Sequence, residues 1–98
     1  MSDYTESTGN VFLDMGFEQE EAENLLIRGR MLIEIRKYIR EKEMSLTGAA
    51  EFFDTSRSRI NDLNKARVQK FGFDYLMGML HRIGRGVRIE FYDLPKAA

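Results

Sequence analysis

The chain has 98 residues, of which 43% are hydrophobic and 32% charged, and its formal net charge is −1. This composition predicts one soluble globular domain with a modest core, and the lack of cysteine excludes disulfides, thiolate metal sites and cysteine nucleophiles. No apolar run approaches the roughly 18 residues of a membrane span, and the polar, acidic N-terminus does not resemble a signal peptide, so we expect a cytoplasmic protein.

The near-neutral total hides a separation of charge along the chain. Residues 1–23 hold seven acidic residues and no lysine or arginine, whereas the rest of the chain holds fifteen basic and nine acidic residues. Five of the basic residues fall within 57–70, where the single acid is Asp62. Clustered basic charge is typical of a nucleic-acid site, although a charge run by itself is more often a solvated helix face.

The first predicted elements are a tail, a short apolar run and a long helix. Residues 1–10 are polar and rich in serine and threonine, which predicts a disordered tail before a single domain over 11–95. The apolar run at 11–13 predicts a strand-like or extended segment, and a long helix follows over about 18–43. Its wide apolar arc is interrupted by Arg28 and Arg36, so we expect one surface on the core and a second on a partner or the N-terminal segment.

Residues 45–63 predict two short helices on either side of a tight turn at 54–56. The expected inward residues are Ala49, Ala50 and Phe53 in the first helix and Ile60 and Leu63 in the second, with Ser45 and Ser56 as N-caps. Between its inward positions the second helix presents guanidinium, hydroxyl and amide groups, which are the donors and acceptors that read base edges in DNA. The segment therefore predicts a helix-turn-helix unit and favours DNA binding.

A fourth helix is predicted over about 73–83, with Phe73, Leu76, Met77, Leu80 and Ile83 facing inward. Residues 87–92 then alternate apolar and polar, which predicts a half-buried β-strand. A lone strand needs a partner for its backbone groups. The two candidates are the 11–13 segment and the same strand of a second subunit, and the second would make a dimer.

The chain resembles the Cro/C1-type (XRE) helix-turn-helix proteins, and within them the subgroup that includes HigA-type antitoxins. The resemblance is carried by the segments GNVFLDMGF, EEAENLLIRGRMLIEIRKYIRE, MSLTGAAEFFDTSRSRINDL and FDYLMGMLHRIGRGVRIEF. It implies a mainly α domain of four to five helices with a short C-terminal β-strand. It also implies a homodimer without a cofactor that binds double-stranded DNA at a palindromic operator and represses transcription, often of its own operon beside a toxin gene.

The resemblance also assigns roles to individual residues. The helix around 56–65 is implied to read base pairs, with contacts from Arg57, Ser58, Arg59, Asn61 and Asp62. Phosphate contacts are implied for Ser45, Ser56, Lys65, Arg67 and Lys70. Arg57, at the start of this helix, is the residue expected to donate two hydrogen bonds to a guanine edge.

Some positions depart from the pattern of the family. Glu43, Asp54 and Ala66 stand where relatives tend to place turn glycines, and glutamate and alanine adopt left-handed turns less readily than glycine. Leu46 stands where relatives often carry a glutamine that contacts phosphate. Ile39 and Asn64 replace an Arg–Glu pair that many relatives use to link two helices.

An enzyme is not expected, because His81 is the single histidine and no motif for metal binding, catalysis or phosphate binding is present. Two functions from different classes remain. One is a DNA-binding repressor, favoured by the basic 57–70 segment. The other is an antitoxin that neutralises a small basic RelE/HigB-like toxin by direct binding, favoured by the acidic 1–23 segment.

Overall fold

The structure is a computed structural model that describes residues 10–94. The predicted disordered tail lies almost entirely outside the described residues, as does the end of the predicted domain at 95. All regular secondary-structure elements of the described chain are helices. They are α1 (Val11–Asp14), α2 (Gln19–Glu41), α3 (Leu46–Phe52), α4 (Arg57–Asn64), a 3-10 turn (Val68–Lys70) and α5 (Phe73–Arg82).

One hydrophobic core lies between α2 and the three helices that follow it. The inward residues predicted for the helix-turn-helix unit are all buried, and Ile60 and Leu63 of α4 are completely inaccessible to solvent. Phe71, in the loop between the 3-10 turn and α5, is the largest of the fully buried side chains. Truncating such a ring to alanine typically costs about 3–5 kcal/mol, so this loop is as much a part of the core as the helices are. No helix among residues 10–94 is long and apolar enough to cross a membrane.

The N-terminal apolar run is a helix, and the expectation of an extended segment is wrong. The Asn10 side chain accepts hydrogen bonds from the backbone N–H groups of Phe12 (3.0 Å) and Leu13 (3.3 Å), which is an N-cap. The ring of Phe12 then packs edge-on against Phe17, with the centroids 6.0 Å apart. A three-residue apolar run has no readable period, so the cap residue decides the conformation.

The predicted C-terminal strand is likewise absent from the described chain. After α5 ends, residues 86–94 form no helix or strand. A strand requires a hydrogen-bonded neighbour, and the candidate within the chain, 11–13, is occupied in α1. Instead, the segment lies beside α2, where the Arg85 guanidinium pairs with Glu34 (3.1 Å) and the Tyr92 hydroxyl donates to Glu23 (2.9 Å).

All five α-helices of the described chain end in the same way. In each, one residue takes a left-handed conformation and the next N–H bonds to the carbonyl five positions back, which is the Schellman motif. The left-handed residues are Gly16 (φ +100°), Glu43 (+50°), Asp54 (+55°), Ala66 (+58°) and Gly84 (+77°). The three positions predicted to replace turn glycines thus have the backbone conformation of a glycine, although their side chains make it less favourable.

Candidate nucleic-acid interface

The helix-turn-helix unit is α3, the 53–56 turn and α4. Both predicted N-caps are confirmed, because the Ser45 hydroxyl accepts from the Gly48 N–H (2.9 Å) and the Ser56 hydroxyl accepts from the Arg59 N–H (3.1 Å). A hydrogen bond between the hydroxyls of Thr55 and Tyr75 ties the turn to α5. The turn is therefore held by a helix outside the unit, which fixes the angle at which α4 leaves it.

The outward face of α4 presents three polar side chains. Arg57, Ser58 and Asn61 are exposed, and none of their side chains bonds to another residue of the described chain. At 3.6 residues per turn they lie within an arc of about 100°. Donors and acceptors on one exposed helical face are what direct recognition of base edges requires.

Arg59 has a different environment from its neighbours on α4. Its guanidinium donates to the Lys70 carbonyl (2.8 Å) and lies 4.5 Å from the centre of the Tyr75 ring and 5.1 Å from that of Phe71. These contacts attach α4 to the loop before α5 through a charged hydrogen bond and one cation–π interaction, and to α5 itself through a second cation–π interaction. The structure thus gives Arg59 an architectural role, and its base contact stays a prediction.

Asp62 is also engaged within the chain. Its carboxylate pairs with Arg67 (3.0 Å), and the Asp62 side chain is only 14% exposed. The two residues occupy the positions of the α4 Schellman motif where a hydrophobic contact usually forms, so the ion pair takes the place of that contact. For Asp62 the base contact, and for Arg67 the phosphate contact, remain predictions. Lys65 and Lys70, which follow α4 along the chain, are exposed and form no such ion pair with another described residue.

Two arginines from different helices hold the loop that follows α4. Arg59 binds the carbonyl of Lys70, and Arg28 of α2 binds the next carbonyl, that of Phe71 (2.9 Å), while also bonding to Asn24 (2.7 Å). The Arg28 guanidinium lies 5.9 Å from the ring centre of Phe73 as well. This explains why a cation interrupts the apolar arc of α2.

Sequence reasoning missed the contribution of α2 to this surface. Arg36 and Arg40 line a shallow cleft of about 420 Å³ together with Asn64 from the end of α4. The same cleft is lined by Glu43 and by the buried Ile39, so Ile39 and Asn64, the two positions predicted to replace an ion pair, both border it. In the sequence, Arg36 and Arg40 are explained as cations near the C-terminal end of a helix. Their position beside α4 follows only from the folded structure.

The phosphate-side predictions are only partly visible in the geometry. Each capping serine uses its oxygen as an acceptor and keeps its O–H as a donor that can bind phosphate. Leu46 is partly buried against the core. Among residues 10–94 no three histidine, cysteine, aspartate or glutamate side chains are grouped to hold a metal ion.

The fold and the α4 surface together define a helix-turn-helix protein. The chain belongs to the helix-turn-helix domain family, whose model matches residues 11–91, from the start of α1 into the C-terminal segment. No curated protein matches the chain, and no solved structure matches it.

Proposed function

We propose that this protein is a sequence-specific DNA-binding transcriptional repressor that acts as a homodimer on a palindromic operator. The observation that carries the proposal is the exposed, unpartnered set of Arg57, Ser58 and Asn61 on α4 in a chain of the helix-turn-helix family. The resemblance to Cro/C1-type proteins supports the repressor role. Two-fold symmetry supports the dimer, because paired half-sites are read by paired recognition helices.

The proposed contacts divide into those that specify sequence and those that position the protein. Arg57, the first residue of α4, donates to a guanine edge, while Ser58 and Asn61 bond to adjacent bases. Lys65 and Lys70, together with the hydroxyls of the two capping serines, bind phosphates on either side of the groove. Arg40 of α2 extends the positive surface toward the same backbone.

The proposal is tested by titrating the protein against a labelled duplex from its own upstream region at several salt concentrations. Arg57→Ala should cost about 1–3 kcal/mol at the specific site and relax the preference at one base pair. Lys70→Ala should weaken specific and non-specific binding alike and reduce the salt slope by about one unit. Arg30→Ala removes an exposed cation on the side of α2 that faces the C-terminal segment, so its slope should stay at the wild-type value. Absence of binding at low salt would refute the repressor.

A second function, neutralisation of a basic toxin, is favoured by a separate surface. Glu18, Glu20 and Glu21 are exposed at the start of α2, and Val11 and Met15 of the preceding N-terminal turn are 56% and 66% exposed. Acidic side chains that follow exposed apolar ones so closely along the chain suit a small basic protein. The paired substitution Glu20→Lys and Glu21→Lys should abolish neutralisation in a co-expression growth assay with the neighbouring gene while leaving DNA affinity intact. Retained neutralisation would refute this role for the surface.

A further inference from the structure

The C-terminal segment 85–94, called the tail below, is anchored along one side of α2. Its anchors are the Arg85–Glu34 ion pair at one end and the hydrogen bond from Tyr92 to Glu23 at the other. Glu23 and Glu34 are eleven residues apart on α2, or about 16 Å at 1.5 Å per residue. The tail therefore runs antiparallel to the helix axis and is held at both ends.

A cleft of about 910 Å³ lies between the tail and α2. This volume falls within the range of about 300–1,000 Å³ that is usual for small-molecule sites in proteins. Much of the lining is aliphatic and comes from α1, α2, α5 and the tail: Leu13, Leu26, Ile27, Met31, Leu80, Val87, Ile89 and Leu94. Four parts of the chain thus build a largely apolar wall, which suits an apolar ligand.

Two arginines bring positive charge to this cleft. Arg30 lines it from α2 and Arg88 from the tail, and neither side chain forms an ion pair or hydrogen bond with another described residue. The acids Glu23 and Glu34 are engaged in the anchors, and Glu90 is the one other acid among the described residues of the lining. A guanidinium group beside an apolar wall suits a carboxylate, to which it can donate two parallel hydrogen bonds.

The position of Arg30 indicates where the charged end of a ligand binds. Arg30 lies one helical turn before Glu34, near the end of the cleft where the tail begins. Gln19 lines the cleft eleven residues before Arg30, or about 16 Å away along the helix axis, with Leu26 and Ile27 between them. Cations at one end of an apolar wall of this length fit an elongated apolar molecule with a single anionic end.

We infer that this cleft binds an unbranched fatty carboxylate, whose charged end bonds to Arg30 and Arg88 and whose alkyl chain lies along Leu26 and Ile27 beneath the tail. Burial of each methylene group strengthens such binding about fourfold. The site is separate from the proposed nucleic-acid interface, because none of the residues predicted to contact DNA lines this cleft. The inference therefore does not depend on the proposed function.

Decanoate is the probe for the apolar part of the site, with binding followed by isoleucine methyl NMR and by titration calorimetry. Ile27 and Ile89 line the cleft, whereas Ile33 is 57% exposed on α2 and does not line it. Decanoate should therefore shift the methyl signals of Ile27 and Ile89 and leave that of Ile33 unchanged. Octanoate, which is two methylene groups shorter, should bind about tenfold more weakly. Equal shifts at Ile33 would show adsorption to any exposed apolar side chain and would overturn the inference, as would absence of binding at millimolar decanoate.

A second set of titrations tests the charged end of the site. Arg30→Ala should weaken decanoate binding about tenfold, because a charge-assisted hydrogen bond is lost. Lys37→Ala is the control, since Lys37 is an exposed cation of α2 that does not line the cleft, and its affinity should equal that of wild type. Both side chains are exposed, so helical circular dichroism should show that both variants keep the fold.

The opposite charge on the same alkyl chain completes the test. Decylammonium should bind at least tenfold more weakly than decanoate, because it meets Arg30 and Arg88 with a like charge. Equal or tighter binding of decylammonium would show that the acids of the lining govern the site and would overturn the inference. Equal decanoate affinities of wild type and Arg30→Ala would overturn it as well. None of these measurements uses DNA, so failure of the site is distinguished from failure of DNA binding.

Discussion

Replacing Ala66 with glycine is expected to stabilise the protein. Ala66 ends α4 with φ at +58°, a left-handed conformation that costs an L-residue with a Cβ about 1–2 kcal/mol. Glycine removes that cost but adds about 0.4–1 kcal/mol of conformational entropy to the unfolded chain. Because Ala66 is exposed, loss of its methyl group sacrifices little burial. The balance is a gain of about 0.5–1 kcal/mol in the free energy of unfolding.

Thermal and urea unfolding followed by circular dichroism measure this gain. For a domain of this size, the expected rise in Tm is about 2–8 °C. Gly84→Ala is the mirror control, because Gly84 ends α5 in the same motif at φ +77° and a Cβ there meets no atom within 4 Å. Gly84→Ala should lower the free energy of unfolding by a similar amount, because the new Cβ strains the backbone without a steric clash. If Ala66→Gly lowers stability at an unchanged urea m-value, Ala66 is not in the left-handed region and the reasoning fails.

Two further results are expected from other contacts. Arg59→Ala should lower the free energy of unfolding in urea by about 1–3 kcal/mol, because the variant loses a charged hydrogen bond and two cation–π contacts. Arg57→Ala, the control, should change it by no more than about 0.5 kcal/mol. Equal effects of the two substitutions would contradict the division of roles on α4. The hydrogen bond to Glu23 raises the pKa of Tyr92, so this anchor is present below pH 10 and is lost as pH rises through the raised pKa. Phenolate absorbance, taken as the difference from Tyr92→Phe, should therefore show a later titration in wild type than in Glu23→Ala, and coincident curves would exclude the contact.

The helix-turn-helix unit could be predicted from sequence because its signals are local. The two capping serines, the inward residues at helical spacing and the three turn positions all act within a few residues along the chain. Each prediction therefore depended on short-range geometry that the sequence specifies directly. The first helix also has local signals, the Asn10 cap and the left-handed Gly16, but it is so short that its apolar residues show no helical period.

The division of labour on α4 could not be predicted, because it depends on contacts between distant residues. Arg59 and Arg57 are equivalent in sequence, and only the positions of Phe71 and Tyr75 separate them. Alternation over 87–92 predicted a half-buried strand, but the described segment forms no strand and its side chains are exposed, because its backbone groups bond to no other described residue. A strand requires both local propensity and a hydrogen-bonded neighbour, and the sequence of the segment specifies only the propensity.

The separation of charge along α2 makes the molecule an electric dipole whose orientation near a polyanion is not random. Glu18, Glu20, Glu21 and Glu23 lie at the start of α2, while Arg36 and Arg40 lie near its other end, roughly 24–30 Å away at 1.5 Å per residue. With a net charge of −1, the protein gains little attraction as a point charge. Within roughly a Debye length of DNA, about 8 Å at physiological salt, the field acts on the nearer end alone and turns the basic end inward. Encounters should thus begin with α4 already facing the groove, and added salt should slow association by removing this torque as well as the attraction.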